Sequence, residues 1–169
     1  MSDFHRVLAL DGGGMRGIFT AAAIAALERD LGIRLADHVE LIAGTSTGGI
    51  IGLGLAAGKS GQDMQRFYEK EGPRIFAKRR LLRRLWRPKY PRRSLDEVLK
   101  REFGDLRMND LTTPVAITAH ELVAGTTRVW KDDHHPDLAG GGGQLVWRVA
   151  AATSAAPTYF EPVQLGQAD

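Results

Sequence analysis

A serine stands at the centre of the pentapeptide Gly-Thr-Ser-Thr-Gly at positions 44–48, between an apolar run and a helix-like segment of small residues. In this context the G-x-S-x-G pattern is typical of a sharp strand-to-helix turn that presents the serine hydroxyl as a nucleophile. A side chain two residues before or after that serine would collide with the neighbouring helix, which favours glycine. The pattern predicts a nucleophile elbow with Ser46 as the catalytic residue, flanked by Gly44, Thr45, Thr47 and Gly48. The alternative is a glycine-rich phosphate-binding or packing turn in which Ser46 only caps a helix.

A second glycine-rich segment, Asp11–Gly17, follows the apolar run Val7–Leu10 and opens another helix-like stretch. Consecutive glycines leave amide N–H groups unobstructed, so that several can converge on one oxygen atom. An arginine in the same turn adds a positive charge near a phosphate or an oxyanion. The segment predicts an oxyanion hole made from five residues: Gly12, Gly13, Gly14, Arg16 and Gly17.

The same glycines formally fit the dinucleotide-binding pattern G-x-G-x-x-G. That pattern requires an acid at the end of the second strand, whereas here the second strand ends in the serine turn and Glu40 lies at its beginning. No Gly-Lys-Ser/Thr follows, which disfavours a P-loop. The segment Asp132–Asp137 contains adjacent acids and histidines that could bind a metal, but no further ligand is apparent elsewhere. We therefore expect a solvated turn there and no metal site. The sequence predicts no cofactor.

The order of the elements, strand–loop–helix–strand–turn–helix, predicts an α/β fold with a mainly parallel sheet and helices on both faces. The pattern of apolar residues predicts strands at 7–10, 39–43, 115–119 and 126–130. Periodicity and capping residues predict helices at 18–31, 49–57, 61–71, 95–103 and 144–155. Ser60 with Asp63 and Ser94 with Glu97 are the expected capping boxes, and Gly32 is the expected cap at the end of the first helix. We find no internal repeat and no linker, and expect one domain over residues 1–169.

The composition is that of an ordinary globular protein, with 43% hydrophobic and 25% charged residues. The chain has no cysteine, which excludes disulfides and thiolate metal sites. The sequence contains neither a signal peptide nor an apolar run of about 20 residues, the length of a membrane span. We therefore expect a cytoplasmic protein.

One segment, Lys78–Arg93, carries nine basic residues and no acid, whereas the rest of the chain has more acids than bases. Large apolar residues at 81, 82, 85 and 86 fall on one helical stripe with arginines around it. Such a helix suits the surface of an anionic membrane. The alternatives are a solvated helix, a contact in a homo-oligomer, or a site for nucleic acid or a nucleotide. We favour the membrane surface and expect no nucleic-acid partner.

Three blocks in this order resemble the patatin-like phospholipases: residues 7–17, 41–50 and 152–160. The resemblance implies a three-layer α/β/α fold and a hydrolase that cleaves the fatty acyl esters of phospholipids through a Ser–Asp dyad without histidine. It implies that Ser46 attacks the ester, that amides around Gly13 and Gly14 hold the oxyanion, and that Arg16 supports the loop or a lipid phosphate. Within the family, the sequence looks most like bacterial antiphage effectors that cyclic nucleotides activate, which makes a cyclic nucleotide a candidate ligand of Lys78–Arg93.

The catalytic aspartate of that family stands in an Asp-Gly-Gly or Asp-Gly-Ala motif after the third block. The nearest candidate here is Asp169, which no glycine follows. We therefore expect that the chain is truncated before the motif and that the base lies beyond Asp169, with Asp169 itself as the alternative. Two other functions stay open: an α/β-hydrolase with a Ser–His–Asp triad that uses His120, and a phosphate- or nucleotide-binding regulatory module without turnover.

Overall fold

The computed structural model describes residues 5–76, 90, 92–133 and 141–165. Its centre is a four-stranded sheet in the order β1-β2-β3-β4. Strand β1 (Val7–Leu10) pairs with β2 (Leu41–Thr45), and β2 pairs with β3 (Val115–Glu121), in both cases parallel. Strand β4 (Thr126–Lys131) completes an antiparallel hairpin with β3. The expected α/β architecture with a mainly parallel sheet is confirmed.

Within the described ranges, five helices flank this sheet: α1 (Gly17–Leu31), α2 (Thr47–Ala56), α3 (Gly61–Ile75), α4 (Arg92–Phe103) and α5 (Val146–Thr153). Helix α2 contacts the first three strands, and α5 contacts β3. Helix α1 packs against α3, and α4 packs against α5. No helix in the described part of the chain is both long and apolar enough to cross a membrane.

The core lies between the sheet and helix α2. Strand register places Leu10, Gly44, Ile117 and Trp130 in one row, and all four are buried. Every residue of α2 is buried as well, because the sheet, α5 and α1 contact it on different sides. Its sequence is correspondingly free of charge, as expected of a helix without a solvent face.

Two helix boundaries differ from the sequence-based expectation. Helix α3 continues past Gly72-Pro73 to Ile75, because Ile75 is buried and the Phe76 N–H donates to the Gly72 carbonyl. Helix α4 begins at Arg92 rather than after a cap at Ser94. The expected capping acid, Glu97, instead accepts hydrogen bonds from the Arg93 guanidinium at 2.9 Å and the Arg74 guanidinium at 3.0 Å.

Three further corrections concern β2, α5 and the loop after β4. Strand β2 starts at Leu41, not Val39, because its pairing with β1 begins at Leu41, opposite Val7. A short 3₁₀ helix precedes it at residues 35–38. Helix α5 is shorter than expected and ends at Thr153. Asp132 is buried and accepts a hydrogen bond from the Val115 N–H at 3.0 Å. The solvated turn expected at 132–137 is therefore wrong for this residue. Of the basic segment, residues 78–89 and 91 lie outside the described part, and with them the apolar helical stripe expected there.

A buried carboxylate joins α1 to two other segments. The two oxygens of Glu28 accept hydrogen bonds from the N–H groups of Leu35 at 3.0 Å and Gly61 at 2.7 Å. Each oxygen thus has one backbone donor, and Glu28 is buried. The arrangement fixes the start of α3 against the end of α1.

We predict that Glu28→Gln lowers the free energy of unfolding by about 1–3 kcal/mol, because an amide NH₂ would face a backbone donor and leave it unsatisfied. The matched control is Glu69→Gln on the exposed side of α3, which we expect to change stability by less than about 0.5 kcal/mol. Urea unfolding of both variants measures the difference. Equal effects of the two substitutions would contradict this role of Glu28.

Candidate active site

Ser46 occupies the single-residue turn between β2 and α2. Its backbone angles are φ 54° and ψ −121°. Among the described non-glycine residues, only Ser46 and Thr158 have a positive φ. Such a conformation costs about 1–3 kcal/mol and persists only where the surrounding structure enforces it. The serine predicted as nucleophile is therefore held in a strained turn at the start of a helix, half-buried.

The glycines on either side of Ser46 allow the turn to close. A Cβ atom at Gly44 would lie 2.7 Å from the Gly48 carbonyl oxygen and 2.8 Å from the Gly49 backbone nitrogen. A Cβ atom at Gly48 would overlap the carbonyl group of Leu10 at the end of β1. Both positions therefore exclude any side chain, since the first turn of α2 lies directly on the sheet.

The glycine loop lies against this turn, so the structure brings the two predicted segments together. A Cβ atom added to Gly12 would be 3.2 Å from the Cβ of Ser46. The Thr47 hydroxyl donates to the Gly14 carbonyl oxygen at 2.9 Å. Gly17 packs so closely on Thr47 that a Cβ there would overlap the Thr47 methyl group.

The loop presents backbone donors beside Ser46. Within the described part of the chain, no residue accepts a hydrogen bond from the N–H groups of Gly12, Gly13 or Gly14. Gly14 has φ 57°, a left-handed conformation that favours glycine. The exposed Arg16 closes the loop, since its N–H donates to the Gly13 carbonyl at 3.2 Å. Free amides at a helix start suit an anionic oxygen.

Thr153 also reaches the serine turn, and sequence reasoning missed it. Its Oγ1 accepts a hydrogen bond from the Ser46 N–H at 2.7 Å, although the two residues are 107 positions apart. The same side chain packs on Gly49, where an added Cβ would be 2.9 Å from the Thr153 methyl. The signal available in the sequence was a threonine inside the third block, at the end of α5.

A buried tyrosine supports the turn from the other side. The Tyr68 hydroxyl donates to the Thr47 carbonyl at 3.3 Å. Burial raises the pKa of Tyr68 far above its usual range. Tyr68 therefore stays protonated and acts as a fixed donor, not as a base.

The remaining sequence-predicted residues lie at the edge of this arrangement or outside it. The exposed Thr45 hydroxyl is 2.6 Å from that of Thr118 on β3. His120 is exposed two residues farther along β3, and no hydrogen bond joins it to Ser46 in the described structure. No group of three or more potential metal ligands occurs within the described ranges. Asp169 lies outside the described residues.

Comparison with known proteins identifies the family. The sequence profile of the patatin-like phospholipases matches residues 8–168. A cGAMP-activated phospholipase of Pseudomonas aeruginosa is 41% identical over 160 residues, which cover 92% of this chain and 48% of that protein. A cGAMP-activated phospholipase of Escherichia coli is 40% identical and matches 93% of this chain and 48% of its own length. The chain belongs to the patatin-like phospholipase family, and it spans about half the length of these relatives.

Among solved structures, VipD from Legionella pneumophila superposes with a TM-score of 0.62 over 97% of this chain and 44% of its own. The sequence identity of that pair is 14%, so the similarity is one of fold. The mainly parallel sheet and its flanking helices are therefore those of a patatin-like fold.

We predict that Gly17→Ala lowers the free energy of unfolding by about 2–4 kcal/mol, because the new methyl overlaps that of Thr47. The variant Thr47→Ser keeps the hydroxyl that bonds Gly14 and removes this methyl. In its background, Gly17→Ala should cost at least about 1 kcal/mol less. Denaturant unfolding of the two single variants and the double variant measures this coupling. Additive effects would show that the loop and the turn do not touch as described.

Proposed function

We propose that this chain carries the catalytic core of a serine acyl hydrolase that cleaves the acyl esters of phospholipids, with Ser46 as the nucleophile. One observation supports this most strongly: a serine in a strained turn lies against a loop whose glycine amides have no partner within the described structure. A phosphate-binding module needs the free amides but has no use for a strained serine beside them. Family membership supports the same assignment.

In the proposed reaction, the Ser46 hydroxyl oxygen attacks the carbonyl carbon of the ester and its proton passes to a general base. The negative charge that develops on the carbonyl oxygen is stabilised by the amides of Gly12–Gly14 and by the start of α2. The lipid alcohol leaves with a proton, and water activated by the same base then releases the fatty acid. The Ser46 N–H takes no part, since it is bonded to Thr153.

The base of this proposal is an aspartate, as the family resemblance implies. Asp169 is the candidate within the sequence. The other candidate is the aspartate of an Asp-Gly motif beyond Asp169 in the same catalytic domain. The His120 triad has weaker support, because His120 is exposed and makes no bond to Ser46. Comparing Asp169→Asn with the unmodified chain separates the two aspartate candidates.

We also propose a cyclic nucleotide as activator and a role in antiphage defence, because the P. aeruginosa and E. coli relatives are cGAMP-activated phospholipases. The basic segment Lys78–Arg93 remains the candidate site for this anion or for a membrane surface. Two of its arginines are already engaged in α4, where Arg92 pairs with Asp96 and Arg93 pairs with Glu97.

We predict that a fluorophosphonate probe labels the chain at Ser46 and that Ser46→Ala abolishes labelling. In a chain that includes the catalytic aspartate, phospholipid hydrolysis should fall at least about a thousandfold in the same variant, since the covalent step is lost. The matched control is Ser94→Ala on α4, which should keep both signals. Mass spectrometry locates the label and fatty-acid release measures turnover. Labelling that persists in Ser46→Ala would refute the assignment of the nucleophile.

We predict that Thr153→Val slows fluorophosphonate labelling about 10- to 100-fold, because the strained turn loses the acceptor of the Ser46 N–H and the hydroxyl moves. Thr153→Ser keeps the acceptor and should stay within about threefold of the unmodified rate. The rate constant of labelling at saturating probe is the measurement, because it reports the position of Ser46 and not probe affinity. If both variants lose the same amount, Thr153 acts only through packing.

A further inference from the structure

The edge of the sheet at which β1, β2 and β3 end, here called the reactive edge, carries the glycine loop and Ser46. The turn of the β3–β4 hairpin, residues 122–125, lies at this edge as well, because β3 runs parallel to β2. Exposed large apolar side chains in the described structure include five near this edge: Met15, Phe19, Leu122, Val123 and Tyr159. A cluster of this kind around a reactive site indicates a contact surface.

The hairpin turn projects beyond the level of Ser46. Thr45, the residue before Ser46, pairs with Thr118, and β3 continues to Glu121. Three further residues in a strand extend it by about 10 Å. At the tip, Leu122 is 62% exposed and Val123 is 98% exposed. The tip therefore displays two adjacent apolar side chains ahead of the proposed nucleophile.

The beginning of α1 adds a second apolar element at the same edge. Phe19 is 77% exposed, one turn after the glycine loop. Residues 17–27 include no charged side chain, although this helix lies on the surface. Tyr159 follows α5, whose last residue bonds the Ser46 N–H, so it lies near this edge too.

We propose that these side chains form a lipid-contact surface, with Phe19, Leu122 and Val123 entering the acyl-chain region of a phospholipid bilayer. The proposal rests on the proposed function, since the ester to be cleaved must reach Ser46 from such a surface. A bilayer is favoured because Arg16, exposed at the same edge and without an ion pair to any described residue, can meet lipid phosphate. Exposed apolar side chains together with a cation at the same edge match the chemistry of a membrane interface.

The test is co-sedimentation with vesicles of phosphatidylcholine and phosphatidylglycerol, in a Ser46→Ala background so that no lipid is consumed. Three variants are compared with this background: Leu122→Ser/Val123→Ser, Phe19→Ser and the matched control Leu31→Ser. Leu31 is 59% exposed, close to the 62% of Leu122, but it lies at the far end of α1. Thermal unfolding first establishes that all four proteins are folded.

We expect the vesicle partition coefficient to fall about tenfold or more in the hairpin variant and in Phe19→Ser, because these variants no longer transfer the apolar side chains from water into the bilayer. Leu31→Ser should stay within about twofold of the background protein. Unchanged partition of the hairpin variant, or an equal loss in Leu31→Ser, would overturn the proposal. A smaller oligomer in the hairpin variant with unaltered partition would identify a contact between copies and would also overturn it. Because the assay needs no turnover, its outcome is independent of fluorophosphonate labelling, which tests the proposed function.

Discussion

The first turn of α2 lies directly on the end of β1, and the rest of the site depends on this contact. Gly48 touches the Leu10 carbonyl group so closely that no side chain fits between them. The approach forces the chain to reverse within one residue, and Ser46 adopts the strained backbone conformation that this reversal requires. The turn also places the start of the glycine loop next to Ser46, because β1 leads straight into it. One close backbone contact thus determines both the conformation of the serine and its distance from the loop amides.

A strained turn needs partners that hold it, and these come from three parts of the chain. Thr153 accepts the Ser46 N–H, Thr47 bonds the loop at Gly14, and Tyr68 donates to the Thr47 carbonyl. Each bond replaces one that water would make to a relaxed turn, so together they offset a strain of about 1–3 kcal/mol. Helices α3 and α5 therefore contribute to the proposed active site although neither carries a reacting group.

The complete burial of α2 contributes both to the core of the fold and to the proposed chemistry. A helix buried on all sides can donate its first-turn amides only to groups at the reactive edge, where the sheet strands end. This concentrates unbonded donors, a half-buried hydroxyl and exposed apolar side chains at one edge of the molecule. A substrate with a polar ester and long acyl chains matches that combination, which connects the proposed lipid-contact surface to the proposed nucleophile.

Features that depend on a few neighbouring residues could be predicted from the sequence. The capping box of Ser60 and Asp63 and the left-handed Gly32 after α1 are present as expected, because cap geometry is local. The alternation of strands and helices was predicted correctly, since buried parallel strands require apolar runs. Both glycine segments were correctly predicted to follow strands, and these strands are parallel and end at the same edge, which brings the segments together.

Contacts between distant segments were decided only by tertiary structure. The Thr153 bond to Ser46 spans 107 residues, and no local pattern encodes such a distance. Helix α3 passes Pro73 because Ile75 is buried, and Asp132 leaves solvent because the Val115 N–H needs an acceptor. In each case burial outweighed a local preference of about 1–3 kcal/mol, and burial depends on which segments meet.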